Sequence, residues 1–225
     1  MTTERYCELA ERLDRYQKQL VPTIIIKDDN SPLISLKDSD FNLIFEPSVK
    51  KDYKYLAREA VYEKIGRISK ILYNEEKKLI IRSVWRSFAH QKLLRIRREK
   101  NIKKEHPDIS EEEISEIVSY FIASEEESMH STGGAVDALI YDLKKDCVMD
   151  FGNNDGIHLE LNKTCYPFYP DITPQVKKNR ELLINLFENE GFVVDSKEYW
   201  HFDYGNAVWA IEKGKKYAKY GIIRK

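Results

Sequence analysis

Paired glycines at 133 and 134 run straight into an apolar segment, Ala135 to Tyr141, and this junction governs more of the chain's architecture than any other stretch. Two residues without a Cβ permit a bend that other residues resist. The segment Gly134 to Tyr141 (GAVDALIY) then alternates well enough to be a strand. A strand launched from a tight turn must pair with others, and Lys78 to Val84 (KLIIRSV) supplies a second apolar run of strand length.

The surrounding sequence is mostly helical in period. In residues 3 to 19, Leu9, Leu13 and Tyr16 recur at helical spacing between charges, which predicts an amphipathic N-terminal helix covering part of the core. A polar turn at 28 to 32 leads into extended segments up to about residue 48. From Tyr53 to Asn74 the positions Leu56, Ala60, Ile65, Ile68 and Leu72 predict a helix feeding the KLIIRSV strand. That strand ends at Trp85-Arg86-Ser87, so Arg86 sits at a strand end, and a further helix runs through Gln91, Leu93, Leu94 and Ile96 toward Lys104. Ser110-Glu111-Glu112-Glu113 has the form of a capping box opening a helix through Ile114, Ile117, Val118 and Phe121. Asn179 to Glu190 reads as an amphipathic helix with Gly191 as its stop. Phe192-Val193-Val194 and Tyr199 to Tyr204 read as paired strands, and Asn206 to Tyr220 as a last helix. The expectation is an α+β fold, a small mostly antiparallel sheet flanked by helices. All 225 residues form one domain on this reading, with residues 1–45 as a helix and extended segment packed on it.

Charge narrows the partners. Lys and Arg total 37 against 38 Asp and Glu, a net charge of -1, so no global field draws the chain to nucleic acid or to an anionic membrane. Acidic residues occur within the first ten, no apolar run of signal length follows, and no stretch is long enough to span a bilayer. Cys7, Cys147 and Cys165 are odd in number and lack a Cys-x-x-Cys pair, which fits reduced thiols in a cytoplasmic protein.

Two stretches carry chemistry. In the first, His130 precedes the glycine pair and Asp137 follows it on the strand, so both side chains are able to meet at one point; a capped loop with a solvated Asp is the plainer alternative. In the second, Glu198-Tyr199-Trp200-His201, a carboxylate precedes a histidine by three residues among aromatics that exclude water; an ordinary aromatic strand with a half-buried His is the alternative there. Together they offer two imidazoles and one carboxylate with a fourth position left for water, the ligand count of a catalytic rather than a structural zinc site. Donors without thiolate suit Zn²⁺, which activates a bound water near neutral pH, and Glu198 is placed to serve as general base. His90, His106 and His158 have no spaced partner and are not expected to bind metal.

The two motifs, with Arg86, resemble the D-alanyl-D-alanine dipeptidase (VanX-type) family of zinc peptidases. Ser128-x-His130-x-x-Gly133-x-Ala135-x-Asp137 is similar to that family's Ser-x-His-x-x-Gly-x-Ala-x-Asp, and Glu198-Tyr199-Trp200-His201 resembles its Glu-x-Trp-His. Asn179-Arg180-x-Leu182-Leu183 and Gly191-Phe192 also resemble the family's approach to the site, so the likeness runs from about Lys50 to Phe202. It implies one Zn²⁺ per chain held by His130, Asp137 and His201, Glu198 as base and Arg86 as stabiliser of the transition state. Ser128 and Asp155 are implied as contacts to a small peptide substrate such as D-Ala-D-Ala. Two departures stand out. Trp85-Arg86-Ser87 replaces Tyr-Arg-Pro, and Phe151-Gly152-Asn153-Asn154-Asp155-Gly156 lacks the family's Phe-Asp pair in register, leaving Asp155 one place early. The resemblance therefore speaks to the chemistry more firmly than to the substrate.

Other readings remain. A carboxypeptidase or endopeptidase acting on peptidoglycan stem peptides would use the same centre. Two His and one carboxylate also form the iron triad of oxygenases, but such enzymes pair His-x-Asp closely, whereas six residues separate His130 from Asp137. A non-catalytic zinc module would leave Glu198 and Arg86 without a role.

Overall fold

The computed structural model describes residues 2–152 and 163–224. Its strands are β1 (Ile25–Ile26), β2 (Leu33–Ser35), β3 (Leu43–Phe45), β4 (Leu56–Arg58), β5 (Lys77–Ser83), β6 (Ala135–Asp142), β7 (Cys147–Val148), β8 (Val193–Val194), β9 (His201–Asp203) and β10 (Tyr217–Ala218). The α-helices are α1 (Thr3–Leu20), α2 (Glu59–Asn74), α3 (Phe88–Glu105), α4 (Glu111–Phe121), α5 (Pro174–Asn189) and α6 (Ala207–Glu212). The main sheet runs β3-β5-β6-β9-β8, with β7 also paired to β6; β3 lies parallel to β5 and the other pairs are antiparallel. An α+β fold with a mostly antiparallel sheet was the expectation, and it is what the chain forms.

The sheet's centre is β6, whose first six residues are all buried. Elements cover both of its faces there, so the apolar run is nearly continuous instead of strictly alternating. The helix α2 buries Val61, Ile65, Ile68 and Leu72 in the same core as Leu79, Ile81 and Ile140 of β5 and β6. Each of these aliphatic side chains contributes about 1.5–3 kcal/mol of transfer free energy on burial. At the other end, Phe187 of α5 stacks on Phe202 of β9 with ring centroids 4.0 Å apart and planes 7° from parallel. That contact seats β9, and with it His201, against the helix.

Local signals fixed most helix starts. Ser87 accepts from the His90 amide to cap α3, and Ser110 and Glu113 form the expected capping box on α4. Thr173 caps α5 six residues before the predicted opening at Asn179, with Pro174 in the first turn.

Three expectations are corrected. The stripe Leu9, Leu13 and Tyr16 of α1 is exposed, and the helix instead buries Cys7, Ala10 and Gln17. Its docking is polar: Gln17 Nε2 donates to Glu212 Oε1 at 2.8 Å, and Asp14 and Glu11 pair with Lys197 and Lys163. The helix predicted from Tyr53 begins only at Glu59, because Leu56–Arg58 pair antiparallel with β2 and the Tyr53 hydroxyl is held by the Val84 amide at 2.7 Å. The terminal helix predicted to Tyr220 stops at Glu212; Gly214 turns the chain at φ +58° and β10 pairs parallel with β1. Cys7, Cys147 and Cys165 are free thiols. Among the described residues no helix is long and apolar enough to cross a membrane.

Candidate active site

Register brings three strands' side chains into one row. Asp137 on the central β6 pairs across to Ser83 on β5 and to His201 on β9, so the three side chains share a sheet face. His130 arrives from a different direction, on the 3₁₀ turn Met129–Thr132 immediately before β6. Gly133 ends that turn at φ +78°, a conformation an L side chain resists. A Cβ on Gly134 would lie 2.3 Å from the Tyr204 carbonyl oxygen, so the chain can pass this close to the neighbouring strand only without a side chain. The glycine pair thus folds His130 back over the strand that carries Asp137.

The imidazoles of His130 and His201 sit with ring centroids 4.9 Å apart and planes at 74°. His130 Nε2 is 3.2 Å from Asp137 Oδ2, and His201 Nδ1 is 2.9 Å from Asp137 Oδ1. One donor atom from each of the three residues lies within 4.8 Å of the others. The outward ring nitrogens are occupied: His130 Nδ1 lies 2.8 Å from the Val84 carbonyl oxygen and His201 Nε2 lies 3.3 Å from Asp203 Oδ2. Such partners fix which nitrogen faces inward and raise its basicity. Asp203 is itself buried and accepts from Asn206 Nδ2 at 2.5 Å. The inward set is two imidazole nitrogens and one carboxylate, with no thiolate, and that chemistry fits a catalytic Zn²⁺.

Charge is divided unevenly among the three. Burial, followed by the nearby Arg86 guanidinium, pushes the His130 imidazole down to about 4. Burial opposes the charged form of Asp137, yet His130 and Arg86 hold its carboxyl well below the usual carboxylate range. Burial also works against the His201 cation, but Asp203 and Asp137 keep it well above the ordinary imidazole value. In the metal-free protein the site is an anion clasped by cations, and a metal held by these residues would take the place of the proton on His201.

Arg86 follows β5 and reaches the same place. Its Nη2 donates to Asp137 Oδ2 at 2.5 Å, its Nε to Ser83 Oγ at 2.6 Å, and its Nη1 to Gln91 Oε1 at 3.3 Å. Ser83 Oγ is in turn 3.2 Å from the Tyr53 hydroxyl. Glu198 stands half-buried on the loop before β9, its amide donating to Asp195 Oδ1 at 3.0 Å. Burial, then the Asp195 carboxylate, raises Glu198 to about 8. Ser128 is buried at the N-cap of the 3₁₀ turn. Asp155 and His158 lie outside the described residues. His90 sits inside α3, buried, with Nε2 3.0 Å from Ser48 Oγ.

Asp203 was not singled out from the sequence, although a signal existed. His201-Phe202-Asp203 on one strand puts the first and third side chains on the same face, so an acid two residues from a candidate ligand is a natural partner for it.

The chain is similar to known proteins. A stretch of 81 residues is 31% identical to the D-alanyl-D-alanine dipeptidase of Escherichia coli and covers 36% of this chain and 40% of that protein. Over 99 residues the chain is 30% identical to the D-alanyl-D-alanine dipeptidase of Synechocystis, covering 39% of this chain and 38% of that one. The matched stretches thus span about two fifths of each relative's own length. A solved structure of VanYB in complex with D-alanine-D-alanine shares the fold at 16% identity, with a TM-score of 0.50 over 85% of this chain and 88% of that one. The model of the D-Ala-D-Ala dipeptidase family matches residues 42–220, and the chain belongs to that family of peptidases.

Proposed function

We propose that this chain is a zinc-dependent peptidase that hydrolyses a D,D-dipeptide such as D-Ala-D-Ala. His130, Asp137 and His201 hold one Zn²⁺, Glu198 serves as general base and Arg86 stabilises the developing oxyanion. The carrying observation is the meeting of three donor atoms within 4.8 Å, each from a different element, with their outward atoms already tied to Val84 and Asp203. The substrate class comes from the two curated relatives, both D-alanyl-D-alanine dipeptidases.

A bound Zn²⁺ supplies a Lewis acid that polarises a carbonyl and lowers the pKa of a water molecule. The remaining work falls to the chain. Glu198, three residues before His201, is the carboxylate assigned to take the proton of the attacking water and return it to the leaving amine. The Arg86 fork is held by Ser83 and Gln91 beside Asp137, which supports its role as a fixed cation for the charge that develops on the attacked carbonyl oxygen. Trp200 and Tyr199 are buried next to Glu198 and exclude bulk water from one side of the loop. Ser128 and Asp155 are the proposed substrate contacts, from the sequence resemblance.

The test is zinc content together with a substrate panel. Elemental analysis should give one zinc per chain, lost on His130→Ala, Asp137→Ala or His201→Ala. The loaded protein should cleave free D,D-dipeptides in preference to L,D- and L,L-dipeptides, N-acetylated dipeptides and a longer stem peptide. Equal cleavage of the N-acetylated or longer peptides would overturn the dipeptidase reading in favour of a carboxypeptidase or endopeptidase, and full zinc in all three variants would overturn the ligand set.

A further inference from the structure

The family match begins at residue 42, so α1 lies ahead of it, yet this helix is fastened to the loop that carries Glu198. Lys197, next in sequence to Glu198, is only 5% exposed. Its ammonium lies 3.2 Å from Asp14 Oδ2 on α1, donates to the Tyr120 carbonyl at the end of α4 at 3.0 Å, and sits 4.1 Å from the centre of the Tyr120 ring. A buried ammonium is tolerated only when paired, so three convergent partners define where the Lys197 side chain must go. Asp14 is also 3.1 Å from Lys18, but that lysine is exposed and its pairing weak.

The backbone around Lys197 is tightly turned. The amides of Lys197 and Glu198 both donate to Asp195 Oδ1, at 2.7 and 3.0 Å, and the Tyr199 amide donates to the Cys165 carbonyl at 3.0 Å. In such a turn a shift of one side chain moves its neighbour. One helical turn before Asp14, Glu11 pairs with Lys163 at 2.7 Å and accepts from the Tyr166 hydroxyl at 3.2 Å, so α1 also grips the segment whose Cys165 carbonyl anchors Tyr199. Two attachments of the base's loop therefore trace back to one face of α1. This explains why the helix turns its polar side inward and leaves Leu9, Leu13 and Tyr16 exposed.

We propose that α1 is a positioning strap for the general base, and that Asp14 and Lys197 are positioning residues that fix the Glu198 loop. The inference rests on Glu198 being the base. Neither residue touches the reacting atoms; their contribution is to hold a carboxylate within the fraction of an ångström that proton transfer requires.

The test uses the full-length, zinc-loaded protein with Asp14→Asn and Asp14→Glu, read by amide hydrogen exchange and by steady-state kinetics. In Asp14→Asn, exchange at the Lys197, Glu198 and Tyr199 amides should quicken by on the order of tenfold while β5 and β6 amides keep their protection. Turnover of D-Ala-D-Ala should fall by roughly tenfold with KM within about twofold and zinc content unchanged, as expected for a displaced base. Asp14→Glu should recover most of both effects. Unchanged loop exchange in Asp14→Asn, or an equal rise in β5 and β6, would overturn the strap. A wild-type protein inactive on every dipeptide would instead remove the base assignment, and the exchange data would still decide whether α1 holds the loop.

Discussion

Arg180 is a buried guanidinium held by backbone carbonyls, and its removal should cost more stability than that of any surface charge. It is 1% exposed and makes four hydrogen bonds to backbone carbonyls: Nε and Nη2 to Phe151 at 2.9 and 2.6 Å, Nη1 to Tyr166 at 2.8 Å and Nη2 to Thr164 at 2.8 Å. Its guanidinium also lies 4.2 Å from the centre of the Tyr199 ring, which stacks on Phe151 at 5.6 Å. In Arg180→Met the stem packing largely survives, but the carbonyls lose a charged donor that neutral neighbours cannot replace. At a net of roughly 1 kcal/mol for each of the four bonds, the expected loss is about 3–5 kcal/mol. With a urea slope of roughly 2.5 kcal/mol/M for a chain this long, the unfolding midpoint should fall by about 1.5 M. Arg180→Lys should recover little, because a point charge cannot reach three carbonyls at once. A midpoint within about 0.3 M of wild type at unchanged slope would refute the view that this guanidinium ties the Phe151 and Tyr166 segments beneath the Glu198 loop.

Three further outcomes are expected. Asp203→Asn should weaken zinc binding by roughly 10- to 100-fold in chelator competition, because the His201 Nε2 partner at 3.3 Å loses its charge; unchanged affinity would show that Asp203 does not support the ligand. Glu198 is raised from 4.5 to about 8, so in metal-free protein its unfolded carboxyl ionises first, and its contribution to stability declines between those two values and is flat above them. Chelator-treated Glu198→Gln should therefore gain stability relative to wild type as pH rises from 4.5 to 8, and a constant difference across that window would contradict the shift. Arg86→Ala should lower kcat by about 2.7–4 kcal/mol in activation free energy, with Arg86→Lys rescuing only part; a change confined to KM would make Arg86 a substrate-binding residue instead.

The sequence disclosed what is local and concealed what depends on partners. The glycine pair, the apolar run of β6 and the capping box at Ser110 each carry their own structural reason, and they appear where the residues put them. The face of α1 was misread because apolar spacing pointed to Leu9 and Leu13, whereas the buried side is chosen by distant polar partners, Lys197, Lys163 and Glu212. Helical period could not show that Leu56 belongs to a strand, since its partner Ser35 is set by tertiary pairing. At the site, His130, Asp137 and His201 were legible as metal-binding types and do converge. The Arg86 contact to Asp137 was not, because sequence places Arg86 at a strand end without saying which neighbour its fork will meet.

The central claim is that Glu198 moves the proton at a metal centre built by other residues, and the zinc-loaded Glu198→Gln protein tests it most directly. Zinc content and dipeptide turnover are measured on the same sample. An amide cannot accept the proton, so one zinc per chain should be retained while turnover of D-Ala-D-Ala falls by on the order of a hundredfold or more. Near-normal turnover at full zinc occupancy would contradict the assignment of Glu198 as the base.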